Sequence, residues 1–213
     1  KRAGGDRGMK EILINCGYTQ KSGVILNGGE LEDVFIEHDG SGGVGNIYKG
    51  TVDNVVPGMQ SAFVDIGLDK NAFLFAGDIS APEEARAPKE DIRRLVHKGQ
   101  DVIVQVTKEA QGAKGARVTT AVTVPGRKLV LMPMLDYIGI SKKIEDEEEK
   151  ARLSRIMSCL KVEGHGYIVR TDAQGTGEEE LKAEMAYLEE QWSEICKTAK
   201  SKNAPALLYS EDS

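Results

Sequence analysis

The sequence has no continuous apolar run long enough to cross a bilayer and opens on no charged-then-apolar leader, so a soluble, cytoplasmic protein without a membrane span is expected. Cysteine is scarce: Cys16, Cys159 and Cys196 are odd in number, far apart and in no C-x-x-C spacing. That pattern suggests neither a disulfide framework nor a zinc site, and predicts buried free thiols. The three histidines, His38, His97 and His165, are dispersed, and there is no G-x-S-x-G, no G-x-x-x-x-G-K-[ST] phosphate loop and no Cys/His pairing. Asp53, Asp65, Asp69 and Asp78 could in principle form a carboxylate cluster, but their spacing along antiparallel strands gives two-metal chemistry no specific support. No catalytic residue, metal ligand or cofactor is assigned within this chain.

Positive charge is also in short supply. The chain has 28 Lys and Arg against 34 Asp and Glu, a formal net charge of −6. Residues 1–8, KRAGGDRG, lack periodicity and precede Met9-Lys10, and read as an upstream or cloning-derived tail expected to be disordered. Their three basic residues and one acid contribute +2, which leaves −8 for the rest. A nucleic-acid binder with that balance must concentrate its cations locally.

At 213 residues and 40% hydrophobic content the chain can bury one large core or two small ones, and two compact modules are expected. Residues 9–45 supply short strands at 11–15, 23–26 and 30–37, with Asn27-Gly28-Gly29 as a hairpin signal between the last two. They read as one edge of a sheet whose remainder is missing. After the glycine-rich linker 38–45, residues 46–120 hold five candidate strands, at 47–56, 61–67, 72–75, 101–108 and 117–122, the pattern of a small closed barrel. Residues 121–213 alternate a strand at 128–132, a helix at 145–160, a strand at 167–170 and a long helix at 177–199. Thr176 and Glu179 have capping-box spacing, and Leu181, Met185, Leu188, Trp192 and Ile195 share one helical face, with Trp192 a core residue. The acidic run from Glu145 to Glu149 fits a helix N-terminus, where carboxylates complement the dipole, better than a metal site. The fold class is α+β.

Two sets of residues carry candidate chemistry. On the barrel, alternation puts Ala62, Val64 and Ile66 on one face and Ser61, Phe63 and Asp65 on the other, so Phe63 is offered to solvent where a base could stack. Phe73 is either a core residue or a partner on that face, and Lys114 either a ligand contact or a solvated loop lysine. In the last block, Gly166-Tyr167-Ile168-Val169-Arg170-Thr171 is an apolar strand ending in Arg and Thr. The Arg170 fork with the Thr171 hydroxyl and N–H has the parts of an anion pocket, and Gly126 would let backbone approach without a Cβ. Val130 would offer apolar surface to a first base, and Lys142 and Lys143 would add positive field. The alternative for Arg170 is a surface ion pair with Asp172 or Glu178.

The stretches Val124 to Pro133 and Gly166 to Thr171, with Asn46 to Val52, Gln60 to Gly67 and Ala72 to Leu74 before them, resemble the ribonuclease E/G family from about Met9 to Tyr209. That resemblance implies an OB-type RNA-binding barrel at 46–120, with RNA contacts at Phe63, Phe73 and Lys114. It implies a small α/β 5′-phosphate sensor domain at 121–213, whose sensor residues match at Gly126, Val130, Arg170 and Thr171. Lys142-Lys143 stand where the more familiar pattern has two arginines, which puts bidentate contacts there in doubt. The opening strands would belong to a ribonuclease-H-like subdomain completed by sequence beyond this chain. The family's magnesium-binding aspartates and zinc-binding C-x-x-C also have no counterpart here, so magnesium and zinc are expected of the full-length enzyme and not of this segment. The resemblance thus implies the part of a single-strand-specific endoribonuclease that binds RNA and senses a 5′ monophosphate, without its cleaving domain, from a protein that is a homo-oligomer at full length. A stand-alone, non-catalytic single-stranded RNA-binding protein is the alternative, and an assembly module without an RNA ligand a third reading.

Overall fold

A computed structural model describes residues 10–16, 20–38, 43–80 and 91–211. The expected tail at 1–8 and the centre of the glycine-rich linker lie outside these residues. The chain divides into two compact units, Lys1–Ser41 and Gly42–Ser213.

In the first unit β1 (Lys10–Cys16), β2 (Gln20–Asn27) and β3 (Glu30–His38) form an antiparallel meander in the order β1-β2-β3. Asn27 pairs with Glu30 across Gly28 and Gly29, whose φ values of 61° and 86° form the primed two-residue turn expected of Asn-Gly-Gly. Ile12 and Leu13 are both exposed.

In the second unit β4 (Ile47–Val56), β5 (Ser61–Asp65), β6 (Ala72–Phe75), β7 (Asp101–Lys108) and β8 (Arg117–Thr119) run in the order β4-β5-β6-β8-β7, and β7 returns to pair with β4. The result is the expected closed five-stranded barrel. Its interior holds Val52, Ala62, Val64, Leu74, Val104, Val106 and Val118, and the short helix α1 (Ile92–Leu95) adds Ile92 to the same cluster.

The rest of this unit is a four-stranded sheet with two helices. β9 (Val124–Pro125), β10 (Leu129–Met132), β11 (Ile138–Ile140) and β12 (Gly166–Val169) take the order β11-β12-β10-β9, with β11 parallel to β12. Leu129, Leu131, Tyr167 and Val169 pack against Leu153 and Met157 of α2 (Glu147–Leu160) and the predicted stripe of α3 (Glu178–Ser201), Trp192 included. At the start of α2 the Asp146 carboxylate accepts the N–H groups of Glu148 and Glu149, so the acidic run caps the helix. β13 (Ala206–Tyr209) then pairs with β4, so the chain after α3 adds a strand to the barrel sheet.

Three expectations need correction. The Thr176 capping box does not form: α3 is capped by Gly177 without a side-chain hydrogen bond, because Thr176 itself is buried. Among the thiols, Cys159 is exposed on α2 and Cys196 is only half-buried on α3, since both lie beside rather than on the apolar stripes of their helices. Ser61 lies on the side of Phe63, opposite Phe75 in register, but it is not wet. It is fully buried and its hydroxyl has no hydrogen-bond partner among the described residues, at the point where Gln60 is tied to the Ala76 N–H and the barrel end closes.

Candidate nucleic-acid interface

Strand pairing assembles a continuous row across the outside of the barrel. Asn54 of β4 lies opposite Phe63 of β5, Phe63 opposite Phe73 of β6, Phe73 opposite Arg117 of β8, and Arg117 opposite Lys108 of β7. Ala62, Val64, Ala72 and Leu74, which flank the two aromatics along their strands, are fully buried, whereas Phe63 and Phe73 are half-buried. Alternation therefore delivers both rings to the outer surface, and the ambiguity at Phe73 resolves toward the face. The rings meet edge to face with centroids 6.0 Å apart and planes at 71°, a geometry that holds one ring against the other and leaves π-surface accessible. Phe75, two residues along β6 and exposed, lies on the same face.

Lys114 stands on the turn Gln111–Lys114 between β7 and β8, exposed. That turn is pressed against the barrel at Gly115, where a Cβ would come within 2.0 Å of the Asn71 carbonyl oxygen. The Phe73 N–H donates to the Ala116 carbonyl at 2.7 Å, which fixes the turn beside the aromatic pair. Lys108 and Lys114 make no ion pair among the described residues, while Arg117 is held by Asp78 at 2.7 Å. Arg117, Lys108 and Phe75 were not singled out in the sequence. Arg117 and Lys108 read there only as strand ends, and the available signal was their place opposite Phe73 once the strand order is known.

The second cluster lies at one end of the four-stranded sheet. The Arg170 N–H donates to the Lys128 carbonyl at 2.7 Å and the Ser141 N–H to the Val169 carbonyl at 2.8 Å. These two bonds bring Gly126–Leu129, Ser141–Lys143 and Arg170–Thr171 to the same edge. Arg170 is exposed and makes no ion pair among the described residues; neither Asp172 nor Glu178 holds it. Instead its Nη1 donates to the Gly126 carbonyl at 2.6 Å. Asp172 pairs with Arg127 at 3.7 Å, and Glu180 takes Lys128. Arg170, Lys142 and Lys143 are left as cations without carboxylate partners among the described residues, a local excess in an acidic chain. Thr171 opens a 3₁₀ turn at Thr171–Ala173, and its hydroxyl and N–H have no partner among the described residues.

Val130 is half-buried opposite Ile168, on the sheet face away from the helices. Gly126 is tied more tightly into the fold than the sequence suggests. Its N–H donates to the Leu129 carbonyl at 2.8 Å, and a Cβ would lie 2.6 Å from Glu184 Oε1. Its N–H is thus engaged within the protein, and the donors facing outward here belong to Arg170 and Thr171.

Among the described residues no group of three or more His, Cys, Asp and Glu side chains could hold a metal ion, and no helix is long and apolar enough to cross a membrane.

Comparison with known proteins matches the two parts of the chain that hold these clusters to two family models. Residues 43–120 match the S1 RNA binding domain model and residues 123–213 match the ribonuclease E/G family model. The chain is 44% identical over 209 residues to ribonuclease G of Escherichia coli and 42% identical over 209 residues to ribonuclease G of Haemophilus influenzae. Each alignment covers 94% of this chain and 43% of the relative. Ribonuclease E of a Nostoc species is 40% identical over 170 residues, covering 79% of this chain and 25% of the relative. The chain therefore spans less than half the length of these relatives. With 44% identity along nearly its whole length and the two domain models matched in tandem, the chain belongs to the ribonuclease E/G family.

Proposed function

We propose that this chain is the RNA-binding and 5′-end-sensing part of a single-strand-specific endoribonuclease acting in RNA processing and decay. The barrel takes single-stranded RNA on the Phe63–Phe73 face, with Lys114 and Lys108 on the backbone, and the Arg170–Thr171 edge takes a 5′ monophosphate. Phosphodiester cleavage, with its magnesium, and the zinc-supported homo-oligomer are assigned to the part of the longer relatives that this chain does not span. The opening meander, with Ile12 and Leu13 exposed, is assigned to a ribonuclease-H-like sheet that further sequence completes.

The observation that carries the sensing role is Arg170. Among the described residues, an exposed guanidinium with no carboxylate partner, anchored through one nitrogen to a carbonyl 2.6 Å away and flanked by a threonine hydroxyl without a partner, is a fork ready for a terminal phosphate. Strands of one sequence carrying a 5′ monophosphate, a 5′ hydroxyl or a 5′ triphosphate test it by titration. The monophosphate form is expected to bind about tenfold to a hundredfold tighter than the hydroxyl form, the range of hydrogen bonds to charged groups. Arg170→Lys keeps the charge, loses the fork, and is expected to remove most of that preference. Equal affinity of the wild-type chain for monophosphate and hydroxyl ends would refute the sensing role.

A further inference from the structure

Glu184 occupies an unusual place on α3. It falls between Leu181 and Leu188, next to Met185, at the border of the buried stripe, and is itself half-buried. A carboxylate there needs partners to offset its desolvation. Among the described residues it has no cation. Its Oε1 instead accepts two main-chain donors, the Lys128 N–H at 2.7 Å and the Leu129 N–H at 3.1 Å. Lys128 ends the turn between β9 and β10, which begins at Gly126, and Leu129 opens β10.

The connection continues to Arg170 in two steps. Leu129, fixed through its N–H by Glu184, accepts the Gly126 N–H at 2.8 Å, and this pins Gly126 at the start of the turn. The Gly126 carbonyl in turn accepts from Arg170 Nη1 at 2.6 Å. The lack of a side chain at Gly126 leaves room for the carboxylate, because a Cβ there would stand 2.6 Å from Glu184 Oε1. One turn earlier on α3, Glu180 takes the Lys128 ammonium, so two carboxylates of one helix hold the same turn.

We infer that Glu184 is a positioning residue for the 5′ end: it fixes the 126–129 turn from below, and the turn aims the Arg170 guanidinium. The role in end recognition rests on the sensing function proposed above; the brace itself does not. The role requires an acceptor and not a charge. A glutamine oxygen can take the same two N–H groups, and a carboxylate close to a phosphate site would only oppose the ligand.

Two measurements on the whole chain separate brace from sensor. Amide hydrogen exchange at Lys128 and Leu129 reads the brace without RNA. Glu184→Ala is expected to accelerate exchange at both amides at least about tenfold, the loss of two charge-assisted bonds, and Glu184→Gln to retain most of the protection. Binding of monophosphate and hydroxyl strands reads the aim. Glu184→Ala is expected to lose most of the monophosphate preference while hydroxyl-strand binding, carried by the barrel, stays within about twofold. Glu184→Gln is expected to keep the preference. Unchanged exchange in Glu184→Ala would overturn the brace, and a preference retained in Glu184→Ala or lost equally in Glu184→Gln would overturn the positioning role. A wild-type chain without any preference would remove the sensor itself, whatever the exchange data show.

Discussion

The barrel face and the Arg170 edge present ligand groups of different kind, and they hold them by different means. Phe63 and Phe73 stand on neighbouring strands in ladder register, each flanked by fully buried neighbours, so their outward aim follows from the pleat itself. Arg170 and Thr171 stand one and two residues past the end of β12, where no ladder continues. Their placement depends on single bonds: the Arg170 N–H to Lys128, its side chain to Gly126, and the Glu184 brace beneath. A face fixed by pleat tolerates loss of one side chain without moving the others. An edge fixed by a chain of hydrogen bonds does not, and it is the part expected to discriminate.

Combining one variant from each region probes this contrast with the largest effect. Phe63→Ala removes a stacking platform and is expected to weaken hydroxyl and monophosphate strands alike, by about 1–3 kcal/mol. Arg170→Lys is expected to act on the monophosphate strand alone. The Phe63 ring meets Phe73 and the Arg170 guanidinium meets Gly126, with no partner in common among the described residues, so their losses on the monophosphate strand should add to within about 0.5 kcal/mol. Strong non-additivity in the double variant would mean that barrel and edge bind as one coupled site. If Phe63→Ala unfolded the protein while the folded fraction kept its affinity, Phe63 would be a packing residue and the face would lose its main support.

The same contrast explains how far the sequence could be read. Strand alternation with turn residues announced all five barrel strands and the outward aim of Phe63, and helical spacing announced the α3 stripe through Leu181, Met185, Leu188, Trp192 and Ile195. Short pieces settled by distant partners were not announced: β9 has two residues, β11 three, and β13 joins the barrel only because β4 offers it a free stretch of edge. Ser61 keeps the alternation but is buried on the side where the pattern promised solvent. Thr176 had the right spacing for a cap but was drawn inside. Around Arg170, local pattern marked the strand end and the basic side chain, whereas Glu184 is recognisable only once the 126–129 turn is placed against α3. Alternation is a local rule, and a brace between residues more than fifty positions apart is not.

A smaller effect separates charge from stacking on the barrel itself. Lys114 lies in solvent without an ion-pair partner among the described residues, so Lys114→Ala should lower affinity for single-stranded RNA mainly by losing one phosphate contact. The slope of log affinity against log salt is then expected to fall by about 0.7, the single-strand value per neutralised phosphate, while Phe63→Ala leaves that slope nearly unchanged. Binding isotherms at four or five salt concentrations give both slopes. An unchanged slope in Lys114→Ala would return Lys114 to the role of a solvated loop lysine.

The smallest expected effect concerns stability and tests whether the second cluster is held from the helix side as well. The Glu149 carboxyl is lowered from its ordinary value of 4.5 to about 2, first by its hydrogen bonds with Arg152, at 2.6 and 2.7 Å, and then by the Gly175 N–H at 2.8 Å. It thereby ties the first turn of α2 to the loop that follows Thr171–Ala173. A carboxyl whose folded value lies below its unfolded value contributes stability that is fully present above the unfolded value and disappears as pH falls through the folded one. The window here runs from about pH 4.5 down to about pH 2. Glu149→Gln should therefore melt below the wild-type chain at pH 6, and the gap between the two melting temperatures should shrink across that window and close at its lower end. A gap independent of pH would mean that the Glu149 side chain acts through packing and that its charge contributes nothing to holding the loop.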